Sequence, residues 1–301
     1  MQKLSLLLKD PKKLSIALFN HLGRLLPDKL YLKVIFSKHM GYKLDLKNPK
    51  TFAEKLQWLK LYDRKPIYHQ MVDKVDAKKY IDSVVGPGYT IPTLGVYDSF
   101  NQIDWNALPQ QFILKATHDS GSYYIVKEID NLDKRKCKKQ LYIHWNRSYY
   151  KDYREWQYKG LKKRIIAEPL IANPQQLREY KFFCFHGEPK LYQTCYDRDN
   201  SQGGAILNFY DMNCELLDLH DKGHSRVSDI KISKPMNFAK MIQFCKMLSK
   251  DMYFLRVDFY EVDEKLYFGE LTLQENAGFC AFIPEHWDYD LGAWLKLPTD
   301  K

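Results

Sequence analysis

The chain has 301 residues, 45% hydrophobic and 15% aromatic, which excludes a disordered tail and allows one large or two modest domains with a proper core. Its net charge is +10, from 47 Lys and Arg against 37 Asp and Glu, so an anionic partner is expected: a nucleoside triphosphate, an acidic glycan, an anionic membrane surface or a nucleic acid. No zinc-finger, helix-turn-helix or aromatic RNA-binding pattern is present, so no nucleic-acid partner is expected, and six scattered cysteines without a CxxC pair indicate reduced thiols in a cytoplasmic protein.

The first 36 residues are basic and amphipathic, with Leu14, Ile16, Leu18, Leu22, Leu25 and Leu26 among lysines and Arg24. The stretch Leu4-Ser5-Leu6-Leu7-Leu8 stops at Lys9, too short for a signal-peptide core, and no apolar run reaches the length of a membrane span. Two readings stay open here: a helical hairpin packed on the main domain, or a peripheral contact at the inner face of the membrane. Next, Phe52, Leu56 and Leu59 recur at helix spacing. Thr51 with Glu54 three residues later forms a capping-box start. A second helix is predicted from Pro66 to about Ile81, closed by Gly86-Pro87-Gly88.

After Gly88 the period changes. Residues 91–97 read as extended, 111–116 as a short apolar strand, and 123–129 as the returning strand of a hairpin turned at His118-Asp119-Ser120-Gly121-Ser122. A charged, helix-prone stretch covers 133–151, and strands are predicted at 164–168, 180–185 and 190–196. An amphipathic helix over 236–252 turns Phe238, Met241, Phe244, Cys245 and Leu248 inward. Two strands, 254–260 and 265–271, close the core around the turn Val262-Asp263-Glu264. The expectation is an α+β protein: a helical region over 1–88, then a mixed body over 89–301.

Three segments carry candidate chemistry. Arg256 and Asp258, two apart on a strand, share one face, and a hairpin of this length brings Glu270 opposite Asp258. Two carboxylates and a guanidinium among apolar neighbours are costly to bury unless a cation pairs with them, and Asp and Glu oxygens suit Mg2+. A structural salt bridge accounts for the same residues equally well. Lys115, before the Ser120-Gly121-Ser122 turn, suits an anion approached by backbone N–H groups. No Walker loop exists, and most such loops are only turns. Glu168-Pro169-Leu170-Ile171 leaves a strand as an apolar hinge able to take an adenine edge, with Glu179-Tyr180-Lys181 downstream; alone it is an ordinary strand exit.

In this order the segments resemble the ATP-grasp superfamily, and more narrowly its TupA-like group of capsular polysaccharide and teichuronopeptide biosynthesis. The resemblance runs from about Leu30 to the C-terminus, through Leu44-Asp45-Leu46-Lys47-Asn48-Pro49-Lys50-Thr51-Phe52, Ile91-Pro92-Thr93-Leu94-Gly95-Val96-Tyr97-Asp98, Arg154-Glu155-Trp156-Gln157-Tyr158 and Phe268-Gly269-Glu270-Leu271-Thr272. It implies an ATP-grasp fold with subdomains over about 89–163 and 164–301, ATP and Mg2+ as cofactors, and an acyl-phosphate route joining a carboxylate to an amine. An acidic glycan precursor is one candidate substrate. It further implies that Lys74 and Lys115 meet nucleotide phosphates under the Ser120-Gly121-Ser122 loop, with His118 in a supporting place. Glu168, Leu170 and Ile171 would form the adenine hinge. Glu179 or Lys181 would sit near ribose and phosphate, Asp258 and Glu270 would bind Mg2+, and Arg256 would steady the transferred phosphoryl group.

Two departures stand out. Relatives carry Gly-Ser-Gly-Gly where this chain has Asp119-Ser120-Gly121-Ser122, which brings an acid near the phosphates. After Thr272, in a slot where many ATP-grasp enzymes have Asn, the chain runs Gln274-Glu275-Asn276-Ala277-Gly278 in place of a Pro-Gly-Ser-Gly loop, and Asn276 is a substitute ligand candidate. The rival readings are a metal-dependent glycosyltransferase using Asp197-Arg198-Asp199, and a kinase built on the same ATP site.

Overall fold

The computed structural model describes Phe19 and residues 23–173, 177–196, 206–222 and 234–298, and the structural statements below concern these residues. Asp197-Arg198-Asp199 and the apolar residues 4–18 and 22 of the amphipathic segment lie outside them.

Helix α1 (Asp28–Met40) buries Tyr31, Leu32, Ile35 and Phe36 at helix spacing. Helix α2 (Phe52–Tyr62) begins at the expected capping box, in which Thr51 Oγ accepts from Glu54 N and the Glu54 carboxylate accepts from Thr51 N, both at 3.2 Å. Where one helix was expected from Pro66 to Ile81 there are two, α3 (Ile67–Val72) and α4 (Asp76–Val85). The cause is Asp73, whose Oδ1 accepts from Val75 N and Asp76 N at 2.9 and 3.1 Å, so a side-chain turn replaces one turn of helix. Lys74 stands at that corner.

Strands β1 (Gly95–Tyr97), β2 (Phe112–Ala116), β3 (Tyr123–Val126) and β4 (Ile165–Pro169) form an antiparallel sheet in the order β1-β4-β2-β3. The first three predicted segments here are shortened, the fourth is shifted by one residue, and Ile129 falls in a 3-10 turn. The 133–151 stretch splits into α5 (Lys134–Leu141) and α6 (Tyr149–Tyr153). Cys137 and Leu141 of α5 pack with Phe112, Leu114, Val126, Ile165 and Ala167.

The second sheet uses β5 (Arg178–Phe185), β6 (Glu188–Tyr196) and β7 (Ile206–Asp211). A short pair joins β8 (His220–Asp221) to β11 (Phe282–Ile283), while β9 (Phe254–Val262) and β10 (Lys265–Thr272) complete the five-stranded order β10-β9-β5-β6-β7. Helix α7 (Phe238–Ser249) buries the five residues expected of it, Phe238, Met241, Phe244, Cys245 and Leu248. They meet Phe182, Val257, Phe259 and Phe268 from the sheet and Tyr68, Met71 and Ile81 from α3 and α4. Burying each such side chain contributes roughly 1.5–3 kcal/mol. A second cluster joins Phe183, Phe185, Leu191, Phe209 and Phe254 to α1, α2 and α8 (His286–Trp294), so the helical region and the second sheet share one core.

Helix α8 is tied to α2 at close range. Lys55 Nζ donates to Gly292 O and Leu295 O at 2.7 and 2.8 Å, and Asp288 Oδ1 accepts from Ala53 N at 3.0 Å. A Cβ at position 292 would lie 2.2 Å from Lys50 O, a backbone atom with nowhere to go. Gly292→Ala should therefore lower stability by about 3 kcal/mol or more, measured by urea unfolding; a loss within about 0.5 kcal/mol, the range of ordinary surface changes, would mean that the two helices are not packed this tightly.

Candidate functional site

The site grows from one face of β9. Arg256 and Asp258 point the same way, and Lys181 of β5 pairs with Asp258 across the ladder. On the other side, Phe268 pairs with Phe259 and Leu271 with Val257, so Gly269 and Glu270 together face Asp258. This is a β-bulge. It shifts the phase of β10: Leu266 and Phe268 enter the core before it, Leu271 and Leu273 after it. Without the extra residue Glu270 would share the core face of Phe268. Glycine fits here because a Cβ at position 269 would meet Asp258 Cβ and Asp258 O at 3.3 Å.

Arg256 binds three carboxylates. Its Nε and Nη2 hold Asp258 Oδ1 and Oδ2 at 2.7 Å each, its Nη2 reaches Glu270 Oε1 at 3.1 Å, and its Nη1 donates to Glu275. Asp258 and Glu275 are buried, whereas half of the Glu270 side chain is exposed. Lys181 Nζ lies 3.3 Å from Glu179 and 3.9 Å from Asp258. Burial pushes the Asp258 carboxyl up to about 7, against the pull of Arg256 and Lys181. Partial burial also raises Glu270, but Arg256, Lys181 and Lys74 outweigh it and hold that carboxyl below its usual range.

A second charged group lies on the first sheet. Ile113 pairs with Glu168 and Lys115 with Ile166, which makes Lys115 and Glu168 diagonal neighbours on the face opposite the apolar core. Lys115 Nζ meets Glu168 Oε2 at 2.7 Å, and Lys78 of α4 meets Oε1. Burial raises the Glu168 pKa, but Lys115 and Lys78 outweigh it and hold the carboxyl below its ordinary value. Lys74 Nζ donates to Ala116 O at 2.9 Å and to Asp119 O, anchoring the end of β2 and the loop after it. Lys74 links the two groups, because it lies within electrostatic reach of both Lys115 and Glu270.

The loop over residues 117–122 closes as a hairpin with Gly121 at φ 91° and Ser120 and Gly121 exposed. Asp119, the acid expected near the phosphates, is buried and accepts from Ser122 Oγ, so its carboxylate bonds within the loop. Tyr149 Oη covers the loop by donating to Ser120 O at 2.8 Å, and the His118 ring contacts Trp145 O at 3.1 Å. Leu170 and Ile171 follow directly on the end of β4, and Ile171 lines a cavity of about 360 Å3 with Arg178, Met236 and Glu261.

Sequence reasoning missed Lys78, Glu275 and Lys60. The first had a signal, since it follows Lys74 by four residues, one helical turn. Glu275 had none, because a turn with left-handed φ at Asn276 and Ala277 delivers it to Arg256. Asn276 is exposed, and Thr272 Oγ1 donates to Glu270 Oε1 at 2.9 Å. Among the described residues no set of three or more His, Cys, Asp or Glu side chains is arranged to hold a metal. Mg2+ does not need one: it takes one or two carboxylates and completes its shell with phosphate oxygens and water. Asp258, raised by burial, and half-exposed Glu270 fit that donor set.

Glu168 gives a test in acid. A depressed folded pKa adds stability that is present above the unfolded value, 4.5, and lost as pH falls through the folded one. Glu168→Gln should cost about 1–3 kcal/mol at neutral pH and flatten the stability profile below about pH 5, read by urea unfolding. An unchanged acid limb would show that the two lysines do not depend on this carboxylate.

No curated protein matches the chain. Among solved structures it is similar to D-alanine–D-alanine ligase from Helicobacter pylori, at 17% identity and TM-score 0.42, over 82% of this chain and 69% of that one. It is also similar to D-alanine–D-alanine ligase from Bacillus anthracis, at 13% identity and TM-score 0.44, over 75% and 67%. The ATP-grasp ligase PsnB with its minimal precursor matches at 10% and 0.42 over 77% of this chain, which spans 62% of that protein's length. Among the described residues no helix is long and apolar enough to cross a membrane. A model of TupA-like ATP-grasp proteins matches residues 54–296, most of the length and both sheets, and the chain belongs to that family.

Proposed function

We propose that the chain is an ATP-dependent ligase that joins a carboxylate to an amine through an acyl-phosphate. The observation that carries this reading is the charge arrangement. Lysines 74, 78 and 115 gather on the first sheet and its flanking helix, and Lys74 feels the charge of Glu270, which with Arg256, Asp258 and Lys181 forms the cluster of the second. Cations on one side and hard-oxygen acids on the other suit a nucleoside triphosphate with its metal.

In this reading Lys74 and Lys115 hold the phosphates and the loop with Ser120, Gly121 and Ser122 covers them. Glu168, Leu170 and Ile171 form the nucleobase hinge, Glu179 and Lys181 lie at the ribose and phosphates, and Asp258 and Glu270 would hold Mg2+. When bound, Mg2+ would supply positive charge that offsets that of the phosphates. A substrate carboxylate oxygen attacks the terminal phosphorus and ADP leaves. The amine nitrogen then attacks the acyl carbon, phosphate leaves, and the nitrogen gives up a proton. Arg256, Lys74 and Lys115 are fixed before the charge moves, which is where such sites gain most rate. No covalent enzyme intermediate is required. Burial pushes the Cys137 thiol up to about 12 and raises Cys245 and Cys280 as well, so these sulfurs are poor nucleophiles.

Within this class we assign the acid partner to a uronic acid or amino acid of a surface-polysaccharide precursor. The net charge of +10 supports an acidic substrate. A kinase using the same ATP site would release ADP without forming an amide.

The test is thermal stability with Mg-ATP, Mg-ADP and UDP-sugars, on the wild type and on Asp258→Asn. Binding to the folded state alone stabilises by about 2.7 kcal/mol at a hundredfold excess over Kd, so no acceptor need be known. A rise with magnesium adenine nucleotides that disappears in Asp258→Asn is expected. A response to UDP-sugars alone would sink the ligase reading in favour of a glycosyltransferase.

A further inference from the structure

The turn after β10 is held by groups that the mechanism above does not use. Lys60, on α2, is 1% exposed. Its Nζ donates to Gln57 Oε1 and Tyr153 O at 2.9 Å and to Ala277 O at 2.5 Å. Three oxygens around one ammonium satisfy its three N–H donors. The neighbouring Gln57 Nε2 donates to Gly278 O at 2.6 Å. The Phe279 ring lies 4.8 Å from Lys60 Nζ and stacks on His39 of α1 at 4.3 Å.

What these bonds hold is a backbone that would not stay in place unaided. Asn276 and Ala277 have φ of 45° and 51°, a region that costs residues with a Cβ of order 1–3 kcal/mol each. The first residue of the same turn is Glu275, whose carboxylate binds Arg256 Nη1. Arg256 is therefore gripped on one edge by the Asp258 fork and on the other by a glutamate whose place is set from α2.

We propose that Lys60 is a positioning residue for Arg256, acting through the 275–278 turn and Glu275. This rests on the ligase reading, which puts Arg256 at the transferred phosphoryl group. Without Lys60 the turn relaxes, Glu275 leaves Nη1, and the guanidinium is drawn wholly onto Asp258 and Glu270. Contact with a terminal phosphate then weakens, whereas the phosphates of ADP keep Lys74 and Lys115.

The experiment is calorimetric titration with Mg-ADP and with a non-hydrolysable β,γ-imido analogue of Mg-ATP, on the wild type, Lys60→Met, Glu275→Gln and the double variant. Lys60→Met should weaken the triphosphate analogue about tenfold and leave Mg-ADP within about twofold. In the Glu275→Gln background the same change should add nothing, as expected of residues acting in series. Equal losses for both nucleotides, or losses that add in the double variant, would reduce Lys60 to a stabilising core residue and overturn the proposal. Should Lys60→Met fail to fold, Gly278→Ala strains the same turn from its other side, because a Cβ there would lie 2.5 Å from Gln57 Nε2 at φ 70°, and the same selective loss is expected. A wild type that binds neither nucleotide would sink the ligase reading and this inference together. A wild type that binds both, with an unchanged ratio in Lys60→Met and Gly278→Ala, would remove this inference alone.

Discussion

Taking an arginine and two acids out of water costs several kcal/mol per ion, and the cost is offset only if every donor and lone pair finds a partner. Arg256, Asp258 and Glu275 are in that position, each less than a tenth exposed, with Glu270 at the open edge. Much of the surrounding structure follows from this. The ladder puts Lys181 beside Asp258, the bulge turns Glu270 outward from the core face, and the left-handed turn brings Glu275 to the remaining nitrogen. Three carboxylates on one guanidinium leave surplus negative charge, which suits an added cation better than a closed ion pair would.

The first sheet answers with the opposite surplus. Two lysines share the single Glu168 carboxylate, and Lys74 spends its ammonium on the backbone of Ala116 and Asp119. Asp73 has two tasks here. It breaks the helix that would otherwise run on to Ile81, and it takes Arg164 at 2.7 Å, fixing the corner where Lys74 stands against β4. The helical region is thus part of the site's frame. Helices α1 and α2 share a core with the second sheet, and through Phe279 and Lys60 they reach the turn beside Arg256.

Much of this was legible in the sequence because it depends on local chemistry. Thr51 and Glu54 gave a helix start, the spacing of Phe238, Met241 and Cys245 gave the buried stripe of α7, and the two-residue spacing of Arg256 and Asp258 gave a shared strand face. The step from Leu266 and Phe268 to Leu271 and Leu273, three residues where two were due, was a legible trace of the bulge. The family resemblance added the fold, and a family model matching residues 54–296 bears the family out.

Tertiary structure decided the rest. Nothing in the sequence sets Lys60 apart from Lys55 on the same helix, yet it is buried against Tyr153 and Ala277, partners 93 and 217 residues away. Glu275 lies in a segment without periodicity, and its bond to Arg256 depends on two successive left-handed residues, a conformation that Asn276 tolerates and Ala277 does not favour. Asp119 reads as an acid facing phosphate, and the fold turns it inward to Ser122. The sequence determined what repeats at the helix or strand period or sits within one turn of chain, since backbone geometry alone fixes those neighbours. Which charges meet across the chain was decided by packing, where burial makes each unpartnered ion too costly to leave.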